Sequence, residues 1–555
     1  MRELCVNHAG EEYILFCDAE LYNSNELMHE LKAENYSDEE IILYSYIKWK
    51  EKALDKFNGV FAFAVLEKSN KILFLARDRI GVKPFFYALK DKEIILDSSI
   101  KKLLEHITPQ IDEQAIAEII LIGPGRTPGY AIFKNIHELE PAHYGIFKNG
   151  ELKKYKYWDM VDSEHTDNFN QTIEKTRFLV IDSIERQLDA KNSGNNKICT
   201  LLSGGLDSSI ITSLASEYLK KHNKKLYSFS VDYKDNAKYF SKSKFQPESD
   251  GEYIEIMKTY LNNSNNNFEH HQIILDTQNL VNSLYTAVDA RDFPGMADVD
   301  ASLLLFCEDV KNFANIALSG ESADEIFGGY PWYRDKNIRE KHGFPWSQST
   351  EFRKSFLKKD LLYADNYINE RYLKAINESD TSKTANSDDK RIKELVNLNI
   401  KWFMQTLLER QNRMSEYNNF KIRAPFCDYR IVEYLYNIPW EYKDYNNTEK
   451  GLLRIAMQNY LPERVLWRKK SPYPKTHNPE YLNAVSKILR EIINESSSPL
   501  LKIIKKESLE NLIKNSVSES SNQIPWYGQL MTTPQTIAYF IQINYWLEKY
   551  KINIL

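Results

Sequence analysis

Residues 198–209 read Ile198-Cys199-Thr200-Leu201-Leu202-Ser203-Gly204-Gly205-Leu206-Asp207-Ser208-Ser209. Ile198 to Leu202 is an apolar run with the length of a buried strand, and Ser208 to Lys220 continues with helical spacing. Between them, two adjacent glycines let backbone N–H groups converge without Cβ interference. The helix start adds partial positive charge, so the turn is a cradle for phosphate or pyrophosphate. The hydroxyls of Ser203 and Ser208 can donate to phosphate oxygens. Asp207 would repel phosphate directly, so its natural role is to hold a Mg²⁺ that bridges to it. An ordinary tight βα turn is the bland alternative, and the whole seven-residue run Ser203 to Ser209 in this context argues against it. Neither the GxxxxGK(S/T) spacing of a Walker loop nor GxGxxG is present.

On either side the chain changes character. Downstream, Leu226 to Val231 alternates into a second strand and Ile316 to Leu318 makes a third. Strand, helix, strand order predicts a parallel sheet covered on both faces. Beyond about Arg339 the pattern is mainly helical. Its last element starts at Thr533-Pro534, read as N-cap and first turn, and runs to about Tyr550. Upstream are short strands at Tyr13–Phe16, Val60–Leu66, Ile72–Ala76 and Ile94–Leu96, with a helix over Glu39–Trp49. That order predicts a largely antiparallel α+β layer. Three polar stretches punctuate the chain: Asp159–Asn170 reads as a linker, Asn262–Asn267 as a surface turn and Asn377–Arg391 as a mobile loop.

A length of 555 residues predicts two or three domains, and 42% hydrophobic with 27% charged residues excludes wholesale disorder. A net charge of −5 lacks the basic excess of a non-specific nucleic-acid binder. No apolar run is long enough for a transmembrane helix, and Met1-Arg2-Glu3-Leu4-Cys5 has no signal-like stretch. Cys5, Cys17, Cys199, Cys307 and Cys427 are scattered and without CxxC spacing, as expected of reduced thiols in a cytoplasmic protein. The tandem His270-His271 reads as a loop pair and not a metal site.

A second motif, Ser319-Gly320-Glu321-Ser322-Ala323-Asp324-Glu325-Ile326-Phe327-Gly328-Gly329-Tyr330, follows the third strand. Ser319 and Gly320 put small residues at the carboxyl edge of the sheet, where such folds bind ligands. Carboxylates at a helix N-terminus are favoured anyway, but Asp324 can supply the second acid opposite Asp207 that a Mg²⁺–pyrophosphate complex needs.

The first motif resembles the pyrophosphate loop of ATP-pyrophosphatases, and the second is similar to the SGExxDExFGGY motif of the asparagine synthetase B family. Ala76-Arg77-Asp78-Arg79-Ile80-Gly81-Val82-Lys83-Pro84 and Arg423-Ala424-Pro425-Phe426-Cys427-Asp428 also resemble segments of that family. The resemblance implies a two-domain α/β and α+β protein. Residues 1–158 would be an αββα Ntn-type glutaminase sandwich, 159–170 a linker, and 171–555 a parallel-sheet ATP-pyrophosphatase domain with a helical extension. It implies ATP and Mg²⁺ as cofactors, and aspartate with ammonia or glutamine as substrates. Nucleic acid and membrane are not among the partners, and a homodimer is compatible with it. Leu202, Ser203, Gly204, Gly205, Asp207, Ser208, Val231, Ser319 and Gly320 would hold ATP and pyrophosphate, with Asp207 and Asp324 on the metal. Glu321 would orient or deprotonate ammonia, and Lys470 would neutralise phosphate charge, with Arg468 beside it. Lys450, Arg454 and Arg413 are candidate clamps for the substrate α-carboxylate, although charged helix faces are commoner than clamps.

The N-terminal part departs from that family. Its members begin with a terminal cysteine followed closely by glycine, whereas this chain begins MRELCVNHAG. An Asn-Gly-Glu segment appears as Asp18-Ala19-Glu20, and an ionised Asp18 is acceptor-only where an amide would donate to an oxyanion. Asp38 matches the family's ligand for the glutamine amine. These departures predict a shortened, inactive glutaminase half with an unpaired sheet edge, and free or delivered ammonia as nitrogen donor. The alternatives are a normal glutamine-hydrolysing enzyme whose start is missing here, a β-lactam synthetase or peptide cyclase on the same scaffold, and a non-catalytic regulatory subunit.

Overall fold

Along Glu11–Leu21 the buried side chains Tyr13, Leu15 and Cys17 fall at every second residue, as in a strand with one face in a core. The computed structural model describes residues 2–190, 197–240, 248–264, 267–358, 364–516 and 524–555. Its first strands are β1 (Arg2–His8), β2 (Glu11–Leu21), β3 (Gly59–Glu67), β4 (Ile72–Arg77), β5 (Phe86–Lys90), β6 (Glu93–Asp97), β7 (Gln110–Ile111), β8 (Ile136–Glu138), β9 (His143–Lys148) and β10 (Glu151–Lys156). Six form an antiparallel sheet in the order β1-β2-β3-β4-β9-β10, and three form a second in the order β6-β5-β8. Helices Ser24–Leu31 and Asp38–Trp49 cover one face of the larger sheet, packing Leu27, Ile41, Ile42 and Tyr46 on Leu15, Phe61 and Phe63. The other face meets the smaller sheet through Ala62, Ala64, Leu75, Phe85 and Leu139.

The antiparallel layer expected from the sequence forms, with strands longer than their apolar cores. β1 and β10 escaped a pattern-based reading because they lie at the two edges of the sheet and are mostly exposed. Glu151–Lys156 carries three lysines and no buried residue. Among the described residues β1 pairs on one side only, with β2, and β10 on one side only, with β9, as the two edge strands of an open sheet do.

The motif Ala76–Pro84 is the clasp of this half. Asp78 accepts from the backbone N–H groups of Gly81 (2.6 Å), Val82 (3.0 Å) and Lys83 (3.0 Å). Arg79 donates to the carbonyls of Phe57 (2.6 Å) and Leu54 (3.0 Å). Burial of both side chains makes these bonds costly to lose.

The second half is built on β11 (Ile198–Leu201), β12 (Leu226–Tyr233), β13 (Phe268–Leu275), β14 (Ile316–Leu318) and β15 (Lys421–Arg423), all parallel, in the order β13-β12-β11-β14-β15. The chain order runs outward in both directions from β11, so the crevice between the carboxyl ends of β11 and β14 is a topological switch point. His270 and His271 lie inside β13, which corrects their reading as a loop. His270 is held by the hydroxyls of Ser228 (2.7 Å) and Ser230 (3.0 Å) on β12, and His271 stacks on Phe229.

The polar stretches are more ordered than their composition suggests. Helix Asp250–Ser264 continues through Asn262 and Asn263, while Asn265 and Asn266 lie outside the described residues. Asn377–Arg391 is no free loop: a helix ends at Asn377, another begins at Ser387, and the turn between them is tied to the linker. There Asp162, buried, accepts from the Lys383 N–H (2.7 Å) and the Thr384 hydroxyl (3.0 Å) and pairs with Lys393. The linker itself is irregular only to Asn168, whose side chain caps helix Phe169–Asp189. At the far end Thr532, not Thr533, caps helix Thr533–Lys549, in a capping box with Gln535. The final strand, β16 (Asn553–Ile554), pairs with β7 and so returns the C-terminus to the first half.

Candidate active site

The turn after β11 is glycine-dependent. Gly204 has φ +70°, and a Cβ there would lie 2.8 Å from the Tyr253 Cβ. Gly205 caps helix Leu206–Lys221 with extended backbone. The Ser208 hydroxyl donates to the Gly205 carbonyl (3.1 Å), receives the Ser203 N–H (3.2 Å) and lies 3.0 Å from the Ser203 hydroxyl. Both hydroxyls therefore face the same cradle.

β14 delivers the second motif to this cradle. A Cβ on Gly320 would lie 2.8 Å from the Asp207 Cβ and 2.9 Å from the Ser208 N, so only glycine lets the two segments touch. Ser319, Gly320, Glu321 and Asp324 line one cavity of about 220 Å³ together with Leu202, Ser203, Gly205, Asp207, Ser208 and Val231. Val231 is half-buried on β12, which continues to Tyr233 beyond the expected end of that strand.

Asp207 and Asp324 converge on one cation. The Lys450 ammonium lies 2.6 Å from Asp207 Oδ2 and 2.8 Å from Asp324 Oδ1, and Lys470 pairs with the other Asp324 oxygen. Burial would lower the Lys450 ammonium, but the two carboxylates outweigh it and push it up to about 12. Burial likewise works to raise Asp324, yet Lys450 and Lys470 hold it well below the usual carboxylate range. Asp207 stands above that range, raised by burial and by Asp324 against the pull of Lys450. Its Oδ1 is buried with no hydrogen-bond partner among the described residues. A pair of acids that already shares an ammonium, with one oxygen to spare, fits a Mg²⁺ carried in on phosphates. Among the described residues no cluster of three or more ligating side chains provides an all-protein metal cage.

The remaining cations sort by partner. Arg468 donates to Asp250 (2.5 Å) and to the Ser203 carbonyl (3.3 Å), so it braces the phosphate loop from behind. Lys450 is committed to the two acids and Arg454 to Glu449 and the Leu466 carbonyl. Arg413 donates to the Ser98 carbonyl (2.6 Å) and stacks near Phe86 in the first half, and it is not among the residues lining the cavity. Of these three candidate clamps Lys450 and Arg454 line the cavity while paired with acids of the chain, and Arg413 lies away from it. The sequence reading missed Arg410, which lines the cavity 3.5 Å from Glu321. It sits one helical turn before Arg413 on Met404–Tyr417, and its spacing alone could not tell which arginine faces the site.

Glu321 and Arg410 open a largely buried series of alternating charges. Glu321 is followed by Arg410, Asp300 (3.7 Å), Arg291 (2.9 Å), Glu409 (2.9 Å), Arg126 (2.5 Å), Glu138 (3.4 Å) and Arg77 (2.9 Å). Burial works to raise Glu409, but Arg126 and Arg291 hold it down to about 2. The last three members belong to the antiparallel half, so charge pairing crosses the seam between halves. A second crossing joins Glu20 to Arg423 (3.0 Å) and Lys421 (2.6 Å).

In the first half, Asp38 is buried and accepts from the Leu21 N–H (3.1 Å) and the Ser24 hydroxyl (2.8 Å). Asp18 pairs with Lys83 (3.0 Å), which also reaches Glu416 (2.5 Å) across the seam. Cys17 is buried, and burial pushes its thiol well up, whereas Cys5 is exposed on β1.

Known proteins carry the same two parts in the same order. A family model described as a glutamine amidotransferase domain matches residues 5–158, and one described as asparagine synthase matches residues 175–548. Asparagine synthetase (glutamine-hydrolyzing) 3 of Bacillus subtilis (strain 168) is 42% identical over 562 residues, covering 99% of this chain and 89% of that protein. Asparagine synthetase (glutamine-hydrolyzing) 1 of the same organism is 26% identical, covering 89% of this chain and 80% of its own. A putative asparagine synthetase (glutamine-hydrolyzing) 2 of Methanocaldococcus jannaschii is 29% identical, covering 58% of this chain and 59% of its own. The amidotransferase match runs through nearly all of the first half, which leaves the expectation of a shortened and inactive glutaminase without support. The loop, the second motif and both halves now have one explanation: this chain belongs to the asparagine synthetase family, as a ligase with an N-terminal glutamine amidotransferase domain.

Proposed function

We propose that the chain converts aspartate to asparagine by way of a β-aspartyl-AMP intermediate. The aspartate side-chain carboxylate attacks the α-phosphorus of ATP and pyrophosphate leaves. Ammonia then displaces AMP. Residues 1–158 are assigned to the amidotransferase half, 159–170 to the linker and 171–555 to the ligase half. The observation that carries the reading is the shared grip of Asp207 and Asp324 on one ammonium beside the glycine cradle.

In this reading the N–H groups and hydroxyls of Ser203–Ser208 hold the pyrophosphate part of ATP, and Val231 lies along the base. Lys470 neutralises charge that builds on the leaving pyrophosphate. Mg²⁺ held by Asp207 and Asp324 would supply further charge neutralisation on the phosphates. Glu321, raised by burial and opposed chiefly by Arg410, orients the attacking ammonia and accepts its proton. Glutamine and ammonium are the two sources to be compared for that ammonia.

The test is a product balance. With aspartate, ATP, Mg²⁺ and either ammonium or glutamine, asparagine, AMP and pyrophosphate should appear in equal amounts. ADP and phosphate as products would overturn the reading. The ratio of the two rates measures how much glutaminase activity the first half has. Pyrophosphate exchange into ATP that responds to an acid other than aspartate would instead favour the β-lactam or cyclase chemistry.

A further inference from the structure

A ligase for a free amino acid must hold two charged groups that take no part in the reaction, an α-carboxylate and an α-ammonium. Among the described residues five cations line the cavity, and each has an acidic partner. Lys450 lies between Asp207 and Asp324, and Lys470 lies on Asp324. Arg454 is on Glu449, and Arg468 is on Asp250. The fifth, Arg410, has the longest pairings of the five, 3.5 Å to Glu321 and 3.7 Å to Asp300. It is 2% exposed, its Nε donates to the Val299 carbonyl (3.3 Å), and its plane lies 4.3 Å from the centre of the Tyr473 ring. Its Nη2 is buried with no hydrogen-bond partner among the described residues.

The neighbouring Gln411 lines the same cavity and is equally buried. Its Nε2 donates to the Ile422 carbonyl (3.3 Å), which leaves Oε1 as an acceptor, and that atom also lacks a partner among the described residues. An orphaned buried donor and an orphaned buried acceptor on consecutive residues carry a desolvation cost that a ligand would remove. A donor and an acceptor on residues lining one cavity match the two charged groups of a zwitterionic amino-acid backbone.

We propose that Arg410 and Gln411 form the receptor for the α-carboxylate and α-ammonium groups of the amino-acid substrate, leaving its side-chain carboxylate to face the phosphate loop. The site rests on the proposed function and specifies which part of the substrate the enzyme reads. Asp300 and Arg291 hold the fork from behind, so it is set before substrate arrives. Glu321, 3.5 Å from Arg410 Nη1, stays on the side of the reacting carbonyl.

The experiment is aspartate-dependent pyrophosphate exchange into ATP, with β-alanine (aspartate without its α-carboxylate) and succinate (aspartate without its α-ammonium) as comparison acids. Arg410→Gln should raise the aspartate requirement about 10- to 100-fold, the loss of one charge-assisted hydrogen bond, and leave the ATP requirement unchanged. It should also narrow the gap between aspartate and β-alanine. Arg410→Lys keeps the charge and loses the fork, so it should show the same pattern to a smaller degree and decides the matter if the glutamine variant does not fold. In Gln411→Leu the gap between aspartate and succinate should narrow. Gaps of unaltered size, with all acids falling in parallel, would overturn the subsite alone. Absence of aspartate-dependent exchange in the unaltered chain would overturn the proposed function together with the subsite.

Discussion

Gly204 and Glu325 show how single positions in this site are constrained in different ways. Gly204 needs the left-handed region and has a side chain against it, so Gly204→Ala should destabilise the fold by about 1–2 kcal/mol. Because the strain would tilt the phosphate cradle, pyrophosphate exchange should also fall by about 10²-fold. Denaturant unfolding and exchange rates check the two effects separately. Glu325 is buried, and burial with Asp324 beside it pushes its carboxyl up to about 8, while the Tyr330 hydroxyl donates to it at 2.6 Å. A carboxyl raised in the folded state contributes stability that is complete below its unfolded pKa and is lost as pH rises through the folded one. From pH 6 to 7.5 the chain should therefore lose about 2 kcal/mol that Glu325→Gln does not lose. Urea unfolding of both proteins at the two pH values measures it, and parallel curves would contradict the assignment. Glu325 was visible in the sequence only as one more acid of a motif. Its protonation depends on enclosure, which no spacing reports.

At the scale of elements, the seven-residue loop was legible because its chemistry is local: strand, glycines and helix start are contiguous. The same holds for β3, β4, β14 and helix Asp38–Trp49, whose apolar periods are internal to each. The polar stretches misled because order there comes from elsewhere. The turn over 378–386 is held by Asp162 of the linker, a residue whose own segment has little apolar content. Asp162→Ala would leave the Lys393 ammonium buried without its carboxylate, and should cost about 3 kcal/mol. Limited proteolysis should then cut within 378–386, where the unaltered chain resists. β13 was missed for a related reason: Phe268–Leu275 has charged and histidine residues at positions that face other side chains and not a hydrophobic core.

Across the whole molecule, the buried charge series makes the two halves interdependent. Glu409→Gln leaves Arg126 and Arg291 facing each other without their shared carboxylate, and should destabilise the chain by about 3–5 kcal/mol. Adding Arg126→Met to Glu409→Gln removes one of the stranded charges and should recover part of that loss. A double-mutant cycle by chemical denaturation gives the coupling, and simple additivity would show that the pairs do not act together. Apart from Arg77 and Glu321, which lie in motifs, the members of the series stand in the sequence as charged residues without a pattern. Arg77 and Glu321 are tied through six intermediates, none adjacent to both, and only the folded chain orders them.

From the sequence by itself came the nucleotide cradle, the second acidic motif, the change from antiparallel to parallel architecture near residue 160, and the family. These follow from backbone rules and side-chain periods that act over a few residues. The tertiary structure alone decided which charges meet: that Lys450 bridges Asp207 and Asp324, that Arg413 turns away while Arg410 faces the cavity, and that Asp38 is satisfied within its own half. A charged side chain's role depends on its nearest opposite charge and on how much water is left around it. Both are set by segments hundreds of residues apart in the chain, and neither is written in local spacing.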